Sequence, residues 1–258
     1  MDLGLEGKIV LITGGSKGIG LACAAAFAAE GSRNAICSRS QANIDLALRS
    51  LPNTLGFAAD LTDAQAASAL IETVEASLGP VDVLVNSAGA ARQAPPDELT
   101  PTLWREAMDA KFFTYINILD PMVKRMAQRG HGVILNVIGS GGRVASPVHL
   151  AGGAANAALM LATAGLAAAY APKGVRVVGV SPGLTETGRV AKRAAADALH
   201  LGITLEEALQ RNVARIPMGR LATPEEIAQA VVFLASAKAS YITGVTLTMD
   251  GAQNPVVL

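Results

Sequence analysis

Neither sign of charge predominates in this chain: lysine and arginine together number 21, aspartate and glutamate 21, and the formal net charge at pH 7 is zero. There is no global field to draw in a polyanion, so nucleic acid is not an expected partner. Cysteine is nearly missing, with Cys23 and Cys37 alone. The pair forms no CxxC and joins no histidine cluster at metal-ligand spacing, so no metal site is expected and buried free thiols in a reducing compartment are. The opening MDLGLEGKIVLITGG lacks a basic n-region followed by an apolar stretch and a small-residue cleavage site, which makes a cytoplasmic location the expectation. Charge is also absent between Ala151 and Ala171, a span long enough to cross a bilayer. Its residues are mainly alanine and glycine, with Asn156 and Thr163, and give far less transfer free energy than Leu, Ile or Phe. A helix at a core or subunit interface is expected there, and no membrane.

Apolar residues make up 51% of the 258 positions, enough for a large core around one continuous sheet. Runs of Val, Ile and Leu alternate with helix-length segments: KIVLIT, RNAICS, LGFAAD, VDVLVNS, GVILNVI and VRVVGVSPG. Such unbroken apolar runs are strands buried on both faces, as in a parallel sheet, and right-handed crossovers place helices on both sides. The expected fold is α/β, a Rossmann-like doubly wound parallel sheet forming a single domain over residues 1–258. A last helix from about Pro224 to Ser236 leads into YITGVTLTMDG, read as the final strand. Residues 184–220 break the rhythm and follow a strand's carboxyl end, where ligands collect in such sheets. This stretch is read as a substrate lid. Its Arg189, Lys192, Arg193, Arg211 and Arg215 suit an acidic substrate or, alternatively, a solvated helix face.

After the first strand comes TGGSKGIG, residues 13–20, opening a helix. Glycines there let the backbone approach a pyrophosphate, and the helix amino terminus offers unpaired N–H groups. At the end of the second strand, where a carboxylate would accept hydrogen bonds from a ribose 2′-hydroxyl, stand Ser38 and Arg39. With Lys17 in the loop they suit a 2′-phosphate, so NADP(H) is expected in preference to NAD(H). The competing reading of Lys17 and Arg39 is a pair of solvated surface charges.

These features together resemble the short-chain dehydrogenase/reductase family from Leu5 to about Gly251. AADLTD carries Asp60 and Leu61 where the family contacts adenine, NSAG at Asn86–Gly89 looks like its NAG turn, and SPG at Ser181–Gly183 matches its nicotinamide-side loop. The resemblance implies a cofactor held by Gly14, Ser16, Lys17, Gly18, Ile19, Gly20, Ser38, Arg39, Asp60, Leu61, Asn86, Ala88, Gly89, Asn156, Pro182, Gly183, Thr185 and Thr187. It implies a small-molecule substrate, and a homodimer or homotetramer built through two long helices and the last strand. The small residues of ANAALMLATAGLAAAY permit such close helix contact.

The family's proton-transfer residues are a tyrosine, a lysine four residues later, a serine on the preceding strand and an asparagine on the fourth helix. Anchoring the signature on Ala157, Ala158 and Leu159 puts Gly152 at the tyrosine position, Asn156 at the lysine, Gly139 at the serine and Asp109 at the asparagine. The tyrosines are Tyr115, Tyr170 and Tyr241, and none is followed four residues later by lysine. General acid/base catalysis contributes about 10²–10⁴-fold, so ordinary carbonyl reduction needs a replacement. The best substitute is His149, three residues before Gly152, with Ser140 to orient the substrate oxygen. Its competing reading is a structural histidine at a loop-to-helix junction. Lys111 and Asp109 are weaker candidates for that role, with a solvated ion pair or a helix-surface charge as their competing reading. The expected function is an NADP(H)-dependent oxidoreductase with non-standard residues. A nucleotide-binding homologue without turnover and a non-redox lyase or isomerase remain the alternatives.

Overall fold

A computed structural model of the chain describes residues 2–89 and 91–256, apart from the side chains at 192, 193, 196, 197 and 200. Lys192 and Arg193, counted above in the basic excess, therefore lie outside the described side chains. The first half winds as β1 (Ile9–Thr13), α1 (Gly18–Ala29), β2 (Arg33–Ser38), α2 (Gln41–Leu48), β3 (Thr54–Ala58), α3 (Ala64–Leu78) and β4 (Val83–Asn86). Next come α4 (Pro101–Ala107), α5 (Thr114–Arg129), β5 (Gly132–Val137), α6 (Leu150–Tyr170) and β6 (Val175–Pro182). The chain then forms α7 (Gly188–Leu201), α8 (Leu205–Val213), α9 (Pro224–Ala235) and β7 (Thr246–Met249).

The apolar runs pair as one seven-stranded parallel sheet in the order β3-β2-β1-β4-β5-β6-β7, the Rossmann-like α/β fold expected. Strand order reverses between β1 and β4, so the loops leaving their carboxyl ends diverge and open a crevice. Register places Thr13 beside Asn86 and Asn86 beside Asn136 at that end.

Side chains alternate across each strand, which divides the core into two layers. Val10 and Ile12 of β1 face α1 and α9, meeting Phe27, Cys23 and Val231. Ile9 and Leu11 face the other way, with Cys37, Ile71, Met122 and Val123. Burying each such side chain contributes about 1.5–3 kcal/mol. The residues from 147 to 173 have the length and composition of a membrane span. In the fold, α6 buries Ala151, Ala155, Leu159, Thr163 and Ala167, while Ala157 and Leu161 on its other face are exposed.

Three details go beyond what the residue pattern predicts. The last strand is four residues long rather than the whole of YITGVTLTMDG, because Gly244 adopts φ +75° and Thr243 turns its hydroxyl onto Val177. The helical segment around AMDAKFF is interrupted by a π-helical turn at Met108–Phe113 that joins α4 to α5. Finally, the stretch at 184–220 leaves the sheet through a closed stem: Ala222 N–H donates to Leu184 O at 3.1 Å and Glu186 N–H to Ala222 O at 2.8 Å. Beyond that stem, α7 and α8 pack on each other through Ala194, Ala198 and Ala208, forming a small core of their own.

Candidate functional site

A cleft of about 720 Å³ opens at the carboxyl end of the sheet, along the crevice between β1 and β4. One wall is the loop before α1. Gly14 has φ +67°, and a Cβ there would stand 2.9 Å from the Ala88 backbone, so only glycine lets the loop and the turn after β4 come this close. Gly20 lies one turn into α1, and its missing Cβ makes room for the Gly14 carbonyl. The Thr13 hydroxyl accepts hydrogen bonds from Ser87 N–H at 3.1 Å and Ala88 N–H at 3.2 Å, which ties the two walls together.

Lys17, Ser38 and Arg39 line one end of the cleft. Both cations are exposed, and neither forms an ion pair among the described residues. Asp60 lines the same end and accepts from Thr62 N–H at 3.1 Å and the Thr62 hydroxyl at 2.9 Å. Those bonds, chiefly the backbone one, hold its carboxyl below the usual range, with Arg39 a smaller contributor. Gly14, Ser16, Gly18, Ile19, Leu61, Ala88, Gly89, Pro182, Gly183, Thr185 and Thr187 also line the cleft. Gly20, Asn86 and Asn156 do not. Asn86 is buried and donates to Asn136 Oδ1 at 3.0 Å, and Asn136 donates to the Thr163 hydroxyl at 3.0 Å. Asn136 on β5 thereby fastens the sheet to α6, while the Asn86 Oδ1 has no hydrogen-bond partner.

Of the positions read for proton transfer, Gly139 lines the cleft, whereas Asp109, Ser140, His149 and Gly152 do not. Gly152 faces the His149 ring: a Cβ added at 152 would collide with the imidazole, 2.6 Å from Nε2 and 2.8 Å from Nδ1. The imidazole thus fills the space into which a side chain at Gly152 would project. Ser140 begins a short 3₁₀ turn, Ser140–Gly142, packed against α6. Asn156 is buried, and its Oδ1 has no hydrogen-bond partner.

Lys111 overturns its reading as a surface charge. It is 7% exposed and lines the cleft. Its Nζ donates to the Tyr115 hydroxyl at 2.9 Å and to Val137 O at 3.2 Å, and the Tyr115 hydroxyl donates to the same carbonyl. Burial, and secondarily the Arg189 guanidinium, push the lysine down to about 7, and burial raises the tyrosine. Helical periodicity of 3.6 does not carry through the π turn, where an extra residue per turn re-aims the side chains that follow. Arg189, at the start of α7, lines the cleft as well and donates to Gly89 O at 3.3 Å.

The described residues contain no cluster of three or more His, Cys, Asp or Glu able to hold a metal ion. The loop cradle, the two cations beside Ser38 and the cleft's size fit a phosphorylated dinucleotide.

Comparison with known proteins agrees with the geometry. A family model described as Enoyl-(Acyl carrier protein) reductase matches residues 14–253. The chain is 36% identical over 256 residues to the D-threitol dehydrogenase of Mycolicibacterium smegmatis, covering 97% of this chain and 94% of that one. It is also 36% identical over 249 residues to the acetoacetyl-CoA reductase of Rhizobium meliloti, covering 95% and 98%. Among solved structures, the L-sorbose reductase from Gluconobacter frateurii complexed with NADPH and L-sorbose superposes with a TM-score of 0.94 at 30% identity, over 100% of both chains.

Proposed function

The chain belongs to the short-chain dehydrogenase/reductase family, and from that membership we propose that it is an NADP(H)-dependent oxidoreductase of a carbonyl or alcohol substrate, using non-standard residues for proton transfer. The observation that carries the reading is the cleft itself, with Gly14 against Ala88 at its centre and Lys17, Ser38 and Arg39 at one end. A hydroxyl and two unpaired cations suit a 2′-phosphate, which a carboxylate at Ser38 or Arg39 would repel. The bound dinucleotide supplies the two-electron chemistry. The loop N–H groups before α1 hold its pyrophosphate, Asp60 and Leu61 flank the adenine, and Thr185 and Thr187 meet its amide end. The stretch at 184–220 closes over the substrate from its stem at Leu184 and Ala222.

His149 is the proton-exchanging group of this reading, because its ring already stands in the space beside Gly152, and Ser140 orients the substrate oxygen. The protein acts as a cytoplasmic homodimer or homotetramer. A second reading, a nucleotide-binding homologue without turnover, draws on the same positions: neither His149 nor Ser140 lines the cleft.

Titration with NADPH and NADH, followed by single-turnover reduction of a carbonyl panel by wild type, His149→Ala and Ser140→Ala, separates the two. The oxidoreductase reading expects NADPH to bind about tenfold or more tightly than NADH, and His149→Ala to slow turnover by about 10²-fold or more. Tight binding with no reduction of any carbonyl selects the second reading. Equal rates in all three proteins remove His149 and Ser140 from the chemistry.

A further inference from the structure

A lysine that is nine-tenths buried, faces a ligand-sized cleft and has no carboxylate partner is an unfinished electrostatic arrangement. Lys111 has this character: its hydrogen bonds go to the neutral Tyr115 hydroxyl and the Val137 carbonyl, and among the described residues it forms no ion pair. The other titratable or charged groups bearing on it are Tyr115 on α5, which it touches, and Arg189 on α7, which adds repulsion. Burying an ammonium without a counter-charge is costly, and a second cation nearby raises that cost. An anion entering the cleft would relieve both.

Position narrows the ligand. Lys111 follows Ala110, whose carbonyl lies where a Cβ on Gly89 would go, and Arg189 donates to the Gly89 carbonyl. The two cations therefore flank the turn after β4, whose Ala88 packs on Gly14, while Thr187, two residues before Arg189, packs on Gly18 of the loop that takes the pyrophosphate. We propose that Lys111 and Arg189 form a two-cation anchor for the phosphate-bearing part of a dinucleotide, with Tyr115 as the positioning residue that aims the lysine. The inference rests on the reading that this cleft holds NADP(H).

The anchor couples binding to a proton. Below about pH 7 Lys111 is already an ammonium in the free protein, and the anion meets a ready charge. Above that pH the free protein holds a neutral amine, and binding must recruit a proton, so affinity falls as pH rises, by up to about tenfold per unit. Calorimetric titration of the intact protein with NADPH at pH 8.5, in buffers of different ionisation enthalpy, should show net proton uptake. Lys111→Met should raise the NADPH Kd by roughly 10- to 100-fold at pH 6.5 and abolish the uptake at pH 8.5. Lys111→Arg, permanently charged, should bind with affinity flat from pH 6.5 to 9.

Unchanged affinity in Lys111→Met, or a wild type that takes up no proton, overturns the anchor. The redox reading is judged separately. Wild type that binds NADPH with proton uptake yet reduces no carbonyl keeps the anchor and loses the oxidoreductase. Wild type that reduces carbonyls without uptake does the reverse, and a protein that binds no NADPH loses both.

Discussion

Arg39 and Lys17 line the cleft from separate loops, and neither forms an ion pair with a carboxylate among the described residues. A 2′-phosphate placed there gains charge-assisted hydrogen bonds that a 2′-hydroxyl does not. Arg39→Ala is therefore expected to weaken NADPH by about tenfold or more while changing NADH by less than about threefold, as read from fluorescence titrations. Part of the lining was legible beforehand: Gly14, Lys17, Gly18, Ser38, Arg39, Pro182 and Gly183 all border the cleft. Asn86 stands behind the lining, and a motif match does not reveal that its Nδ2 donates to Asn136 while its Oδ1 has no partner. Lys111 was misjudged for a different reason, the π turn at Met108–Phe113 that re-aims it inward.

Strands and helices were easier to read than single side chains, since an apolar run with helix-length spacing has few other solutions. Every one of the six continuous runs became a strand of the parallel sheet. What periodicity does not encode is hydrogen bonding between distant backbone groups, such as the stem from Leu184 to Ala222. It also misses the local turn at Gly244 that shortens β7. The start of α9 illustrates how a local signal fixes an end: Thr223 accepts from Glu226 N–H at 3.2 Å, and the Glu226 carboxylate accepts from Thr223 N–H at 2.8 Å. Losing this cap through Thr223→Ala should lower stability by about 1 kcal/mol, measured as a shifted urea midpoint with an unchanged slope. Helix α9 packs against α1, so the loss is expected to appear in the global transition and not as local fraying.

At the scale of the whole molecule, α6 presents an outer face of Ala154, Ala157, Leu161, Ala164 and Ala168, all exposed, with Leu161 at 77%. Small residues on a straight helix let a second helix approach closely, which accords with the proposed homodimer or homotetramer. Leu161→Glu should reduce the molar mass seen by light scattering toward the 26.3 kDa of one chain, and an unchanged mass would remove α6 from the contact. The two thiols lead elsewhere. Cys23 packs in the layer of α1 and α9, Cys37 in the layer of α3 and α5, and burial pushes both up to about 12. At neutral pH the reactive thiolate is almost unpopulated and shielded from solvent. Air oxidation and alkylating reagents should therefore leave the native protein alone, while each sulfur becomes modifiable when its own side of the sheet opens. With no engineered probe, mass spectrometry of time-stamped alkylation can report whether the two layers come apart together or one before the other.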